Sequence, residues 1–239
     1  MAAMILSTRG LSKRFGGVHA VEGVDFDLPQ GQIRAIIGPN GAGKSTFVGL
    51  VSGRIPPSAG SVAFEGADVT GLPAHRRIGL GMAYTFQITS VFANLSLHEN
   101  VALAARARLG SDRAAVEARV ASALTRVGLS EPPETAAGDL SYGHQRLLEI
   151  AMGLAQEPRL LILDEPTQGL TDGEVAAFIQ LVRDLGGPTT ILLIEHNMTV
   201  VMETAERITV MNFGQILAEG TPAEIRADAA VQAAYLGTG

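Results

Sequence analysis

The chain has 239 residues, a net charge of −6 and no cysteine. A chain of this size buries about 70–75% of its unfolded surface on folding, so it needs no disulfide or thiolate metal site, and cysteine nucleophiles are excluded. The acidic balance argues against nucleic acid as a partner; the opening MAAMILSTRG has no signal-peptide core, and no apolar run approaches the roughly 20 residues that span a bilayer.

The first third reads as strands and turns. LSTRGLSKRF and VHAVEGVDFDL alternate in places and break at Gly16-Gly17 and Pro29-Gln30-Gly31. IRAII is an apolar run of strand length, and TFVGLVSG reads as the first turns of a helix. Between them lies GPNGAGKST, with Gly38, Pro39, Asn40, Gly41, Ala42, Gly43, Lys44, Ser45 and Thr46. It fits the phosphate-loop pattern G-x-x-x-x-G-K-S/T in the strand–loop–helix context the pattern requires. Glycines let backbone N–H groups curl around phosphate oxygens, and the helix N-terminus adds unpaired donors. Lys44 is expected to reach the β- and γ-phosphates, and the Ser45 hydroxyl to hold Mg²⁺.

After SVAFEGADVTG, again strand and turn, the chain becomes rich in helix formers from Ser96 to about Arg126. Ser96 with Glu99 forms a capping box, Gly110-Ser111 divides the stretch, and Pro132, Pro133 and Gly138 end it. From Leu160 strands and helices alternate. LLILD and TTILLIE are continuous apolar runs, as in parallel strands covered on both faces. Thr171 and Glu174 cap the helix of VAAFIQLVRDL, ERITVMNFG is a strand entering a turn, and Thr221-Pro222-Ala223-Glu224 starts another helix. The fold class is α/β: a phosphate-loop NTPase core with an N-terminal antiparallel β part and an inserted helical subdomain. We expect one domain over 1–239, with 88–148 helical and with 1–87 and 149–239 forming the β-rich, nucleotide-binding lobe.

LLILDEP ends a buried strand with two acids. Ligands sit at such strand ends, so Asp164 is placed to support a metal and Glu165 to polarise a water.

LSYGHQRLLEIAMGLAQEP, from Leu140, resembles the signature motif of ATP-binding cassette (ABC) ATPases, usually LSGGQ. Ser141 and Gly143 match; Tyr142 and His144 depart from the pattern, and Gln145 follows. The resemblance implies that Ser141 and Gly143 bind the γ-phosphate held by a second subunit. It implies further roles in turn: Gln87, in YTFQ, for Mg²⁺ and the attacking water; His196, in IEHNM, for the γ-phosphate; and Phe15, in SKRFGG, for stacking on adenine. Thr171 stands where the family usually has aspartate. Asp172 beside it is open to two readings, an interface aspartate or a charge favouring the helix dipole.

RRIGLGMAYTFQITSVFANLSLHENV, LIEHNMTVVM and GQILAEGTPAEIRADAAVQAAYLG are similar to the ATPase subunits of branched-chain amino-acid importers. With so few residues after AYLG, the regulatory β-domain of many sugar importers is not expected. The resemblance implies ATP and Mg²⁺ as ligands, and a second ABC ATPase subunit, homo- or heterodimeric, as head-to-tail partner. It also implies integral-membrane permease subunits, an indirect link to a solute-binding protein, and a peripheral location on the cytoplasmic face of the membrane. Val91, Phe92 and Leu95 either form the groove for a permease coupling helix or pack the helical insert. The same role in a urea, amide or small organic acid importer is the alternative, and a non-transport cassette the second.

Overall fold

The computed structural model describes residues 3–85 and 90–236. Strands β1 (Met4–Phe15) and β2 (Val18–Pro29) pair antiparallel around the Gly16-Gly17 turn. β3 (Ile33–Ile37) leaves them for a second sheet, and the phosphate loop carries it into α1 (Lys44–Ser52). The chain then returns to the first sheet as β4 (Ala59–Phe64) and β5 (Ala67–Asp68), giving the order β2-β1-β4-β5.

Next come α2 (Ala74–Gly79) and β6 (Met82–Thr85). The helical part follows: α3 (Leu97–Leu109), α4 (Arg113–Arg126), a 3₁₀ turn at Ala137–Asp139, and α5 (Tyr142–Leu154). The remainder alternates: β7 (Leu160–Asp164), α6 (Asp172–Leu185), β8 (Thr190–Ile194), α7 (Met198–Thr204), β9 (Arg207–Asn212), β10 (Gln215–Gly220), α8 (Pro222–Ala227) and α9 (Ala229–Leu236). The second sheet has the order β10-β9-β3-β8-β7-β6, parallel from β9 to β6, with β10 antiparallel at its edge.

The unbroken apolar runs follow from this layering. Alternate side chains of a strand point to opposite faces. Ile36, Ile162, Leu192 and Ile194 pack with Phe47 and Val48 of α1 and with Phe26 and Phe64 of the antiparallel sheet. Leu161, Leu163, Ile191 and Leu193 pack with Leu148 and Ile150 of α5 and Phe178 and Val182 of α6. The expected boundary at residue 148 therefore falls inside a helix: α5 starts in the helical part and ends anchored on the sheet. Its apolar spacing continues through Leu154 because one core joins the helical part to this sheet face, with Leu97 and Val101 of α3 in the same cluster as Leu161 and Leu163.

The capping boxes at Ser96/Glu99, Thr171/Glu174 and Thr221/Glu224 all form. At the far end of α1, Gly53 adopts a left-handed conformation and Arg77 is buried against the helix end. Its guanidinium donates to the carbonyls of Leu50, Val51, Thr70 and Leu72. A cation at a helix C-terminus complements the helix dipole, so Arg77 anchors the helix that begins at the phosphate loop.

Candidate nucleotide site

Three adjacent parallel strands, β3, β8 and β7, run in the same direction. At about 4.8 Å per strand, their C-terminal ends lie side by side within roughly 10 Å. The first delivers Gly38, the second Glu195 and His196, and the third Asp164 and Glu165. Residues 120 or more apart in sequence thereby meet at one sheet edge.

The loop glycines are fixed by backbone neighbours. Gly38 has φ 153° and Gly43 φ 100°. A Cβ on Gly38 would lie 2.2 Å from the Met211 carbonyl oxygen, and one on Gly43 2.3 Å from that of Ala20. Neither obstacle is a flexible side chain, so both positions require glycine. Gly214 N–H donates to the Ala42 carbonyl (2.9 Å), pinning the β9–β10 turn against the loop.

Lys44 is buried, 5% exposed, and its ammonium donates to the carbonyls of Gly38 (2.7 Å) and Pro39 (3.1 Å). Burial holds its pKa below the usual lysine value, and the charges of Glu165 and Asp164 oppose that shift. Ser45 is exposed at the helix start. Asn40, Gly41, Ala42, Gly43, Lys44, Ser45 and Thr46 line a cleft of about 430 Å³ together with Glu165 and His196.

Asp164 is 3% exposed. One carboxylate oxygen accepts from the Tyr84 hydroxyl at 2.5 Å; the other is buried without a hydrogen-bond partner. Burial raises its pKa and Glu165 adds to the shift, with the Tyr84 bond opposing it. Burial and the bond to Asp164 push the Tyr84 phenol well above its usual value. An orphaned, buried carboxylate oxygen at this strand end fits a site for a divalent cation. Magnesium binds through one or two carboxylates plus phosphate oxygens.

Glu165 has φ 49°, a left-handed backbone rarely adopted by a residue with Cβ. Its N–H donates to the Ile194 carbonyl (2.9 Å), which ties the turn to β8. Its carboxylate lies 2.7 Å from the His196 Nε2. Strain of this kind costs about 1–3 kcal/mol and concentrates at functional sites.

The other expected residues lie elsewhere. Phe15 is half exposed at the end of β1, under the Lys13 ammonium, and is not a wall of the cleft. Ser141 and Gly143 begin α5 and do not line the cleft either. Ser141 caps α5 by accepting from His144 N–H. A Cβ on Gly143 would lie 1.9 Å from a Glu174 carboxylate oxygen, so any larger residue there must displace that side chain. Tyr142 packs over Gly169, and the His144 ring engages Glu131. Thr171 caps α6, and Asp172 is exposed in its first turn. Gln87 lies outside the described residues.

Three features escaped the sequence reading. Phe213, 84% exposed with φ 45°, lines the cleft; it reads in sequence as a turn residue. Tyr84 holds the aspartate, and its place one strand from β7 is set by a parallel pairing that sequence does not display. Glu195, beside His196, is buried; an acid ending an apolar strand was the available signal, already visible in LLILDE.

Comparison with known proteins agrees with this geometry. The ABC transporter family profile matches residues 21–168, and that of the branched-chain amino acid ATP-binding cassette transporter matches 215–239. The chain is 39% identical to the high-affinity branched-chain amino acid transport ATP-binding protein LivG of Salmonella typhimurium, over 99% of both chains. It is 38% identical to the corresponding protein BraF of Pseudomonas aeruginosa, again over 99% of both. Among solved structures it resembles the ADP conformation of MJ1267, an ATP-binding cassette of an ABC transporter, with TM-score 0.88 and 28% identity over 98% of this chain and 99% of that one.

Proposed function

The chain belongs to the ABC transporter ATP-binding family, and from that premise we propose that it hydrolyses ATP to drive uptake of branched-chain or other hydrophobic amino acids through a membrane permease. The observation that carries the ATPase is the meeting of the phosphate loop, Asp164-Glu165 and His196 at one sheet edge. The cargo class rests on likeness along the whole chain to LivG and BraF, and on the C-terminal match at 215–239.

In this reading the loop N–H groups and the α1 N-terminus hold the phosphates, while Lys44 exchanges its carbonyl partners for phosphate oxygens. Glu165 orients and deprotonates the attacking water, and His196 holds the γ-phosphate; positioning and charge stabilisation carry most of such a reaction. Ser45, Asp164 and Gln87 would hold Mg²⁺, which when bound neutralises charge on the phosphate oxygens. Phe15 is the adenine platform.

Within one chain the cleft lacks Ser141 and Gly143. They complete the site of a second ATPase subunit, packed head to tail, so ATP favours the closed pair through contacts made only there. No helix among the described residues is long and apolar enough to cross a membrane, and the protein works at the cytoplasmic face through its permease. Phe92 is exposed and Leu95 lines a groove with Leu103, His98, Glu99, Arg106 and Glu117, which suits a coupling helix carrying both apolar and charged residues, while Val91 packs on the helical core. The buried Asn100 holds this loop through Phe92 N–H and the carbonyls of Phe92, Leu95 and Ser96.

Proteoliposomes containing the chain and its permease subunits test this reading. ATP-dependent leucine uptake is the expected result. Uptake of urea or an organic acid, but not of leucine, would reassign the cargo and leave the ATPase standing.

A further inference from the structure

Glu195 directly follows β8, the strand between the phosphate-loop strand and the Asp164 strand, and is 3% exposed. Its carboxylate accepts four hydrogen bonds. One oxygen takes the Thr167 N–H (3.0 Å) and the Thr167 hydroxyl (2.5 Å); the other takes the His196 N–H (2.9 Å) and the Asn197 N–H (3.0 Å). An acid at a buried position is costly unless its charge is met, and packing alone would be served by an apolar residue. Here three peptide N–H groups and a hydroxyl converge on it and satisfy both of its oxygens.

The donors come from two segments. Thr167 is two residues beyond Glu165, and the remaining donors are the backbone of His196 and its neighbour. The Glu165–His196 contact at 2.7 Å is therefore bracketed on both sides by one buried carboxylate. Separating the Thr167 segment from the His196 segment breaks two hydrogen bonds to this buried carboxyl group. Thr167 also begins the stretch through Gly169, under Tyr142, to the Thr171 cap of α6.

We propose that Glu195 is a positioning residue for ATP hydrolysis: it fixes the Glu165–His196 geometry by clamping the Thr167 and His196 backbones together. The inference rests on the ATPase reading. In Glu195→Gln an amide N–H necessarily faces at least one of these N–H donors, so the clamp is lost while the volume is kept. None of its four side-chain hydrogen bonds goes to the phosphate loop, so its loss acts on turnover more than on nucleotide affinity.

The test measures steady-state hydrolysis and Mg-ATP affinity for the full chain and its variants. Glu195→Gln should lower kcat on the order of 10- to 100-fold, the effect of a misplacement near 1 Å, with the ATP Kd changed by less than about twofold. In a His196→Ala background the same change should add little, because residues acting through one another are not additive. Thr167→Ser, which keeps the hydroxyl, should retain more of kcat than Thr167→Val, so a Glu195 variant that fails to fold does not end the test. A folded Glu195→Gln at the parent's kcat, an undiminished extra loss in the His196→Ala background, or equal kcat in the two Thr167 variants would each overturn the proposal. A parent that does not hydrolyse ATP would instead sink the ATPase reading, and this inference with it.

Discussion

Lys44→Met keeps the side-chain stem and removes the ammonium. In the structure that ammonium makes two hydrogen bonds, to Gly38 and Pro39 carbonyls, and charge-assisted bonds contribute about 1.5–3 kcal/mol each. Against them stands the cost of burying a cation, visible in the lowered pKa. Between the folded and unfolded pKa values the unfolded chain holds more protons, so the fold gains stability as pH rises through that window and bears the full cost below it. The two effects oppose each other, and the nucleotide-free chain should change by no more than about 2 kcal/mol, or roughly 4–8 °C in melting temperature. The ligand term does not cancel. At 100 times Kd, ATP stabilises the parent by about 2.7 kcal/mol, a shift of roughly 5–11 °C. Without Lys44 the phosphates lose the cation of the loop, and this shift should vanish at the same ATP concentration. Thermal denaturation with and without Mg-ATP reads both effects. An undiminished ATP shift in Lys44→Met would refute the assignment of the loop.

Glu165→Gln should bind ATP at near-parent affinity while turnover falls by a factor on the order of 100 or more; normal turnover would remove Glu165 from the chemistry. Asp164 has a raised pKa, so its contribution to stability is present in acid and lost as pH rises from about 4 through that raised value. The nucleotide-free Asp164→Asn chain should therefore melt at or above the parent at neutral pH, with a flatter pH profile, yet lose its response to Mg-ATP; an equally steep pH profile would contradict this. Arg77→Met strands four carbonyl acceptors and should destabilise the fold by about 3 kcal/mol or more in urea denaturation. Gly143→Ala forces the Glu174 carboxylate aside and should cost about 1 kcal/mol through the α6 cap, together with hydrolysis at the partner's site; parent values of both would count against it.

Much of the core was legible because its signals are local. The phosphate loop, the capping boxes and the runs IRAII, LLILD and TTILLIE each announce themselves within ten residues, and the structure places them as read. What was not legible depends on strand order. That β8 lies between β3 and β7 cannot be read from the segments themselves, yet it brings Glu195 to Thr167 and makes an unremarked acid a clamp. Tyr84 meets Asp164 only because β6 pairs with β7. Phe213 owes its place to a turn pinned by Gly214. The boundary at 148, drawn where composition changes, falls inside α5, which continues under the sheet.

The central claim is that one chain holds only part of a hydrolytic site, since its signature residues stand away from its own phosphate loop. ATP turnover per chain, measured across a dilution series with light scattering to follow pairing, tests this most directly. The account predicts turnover per chain that falls with dilution in step with the loss of pairs, and recovers on adding a competent second subunit. Constant turnover from chains shown to remain single would contradict it.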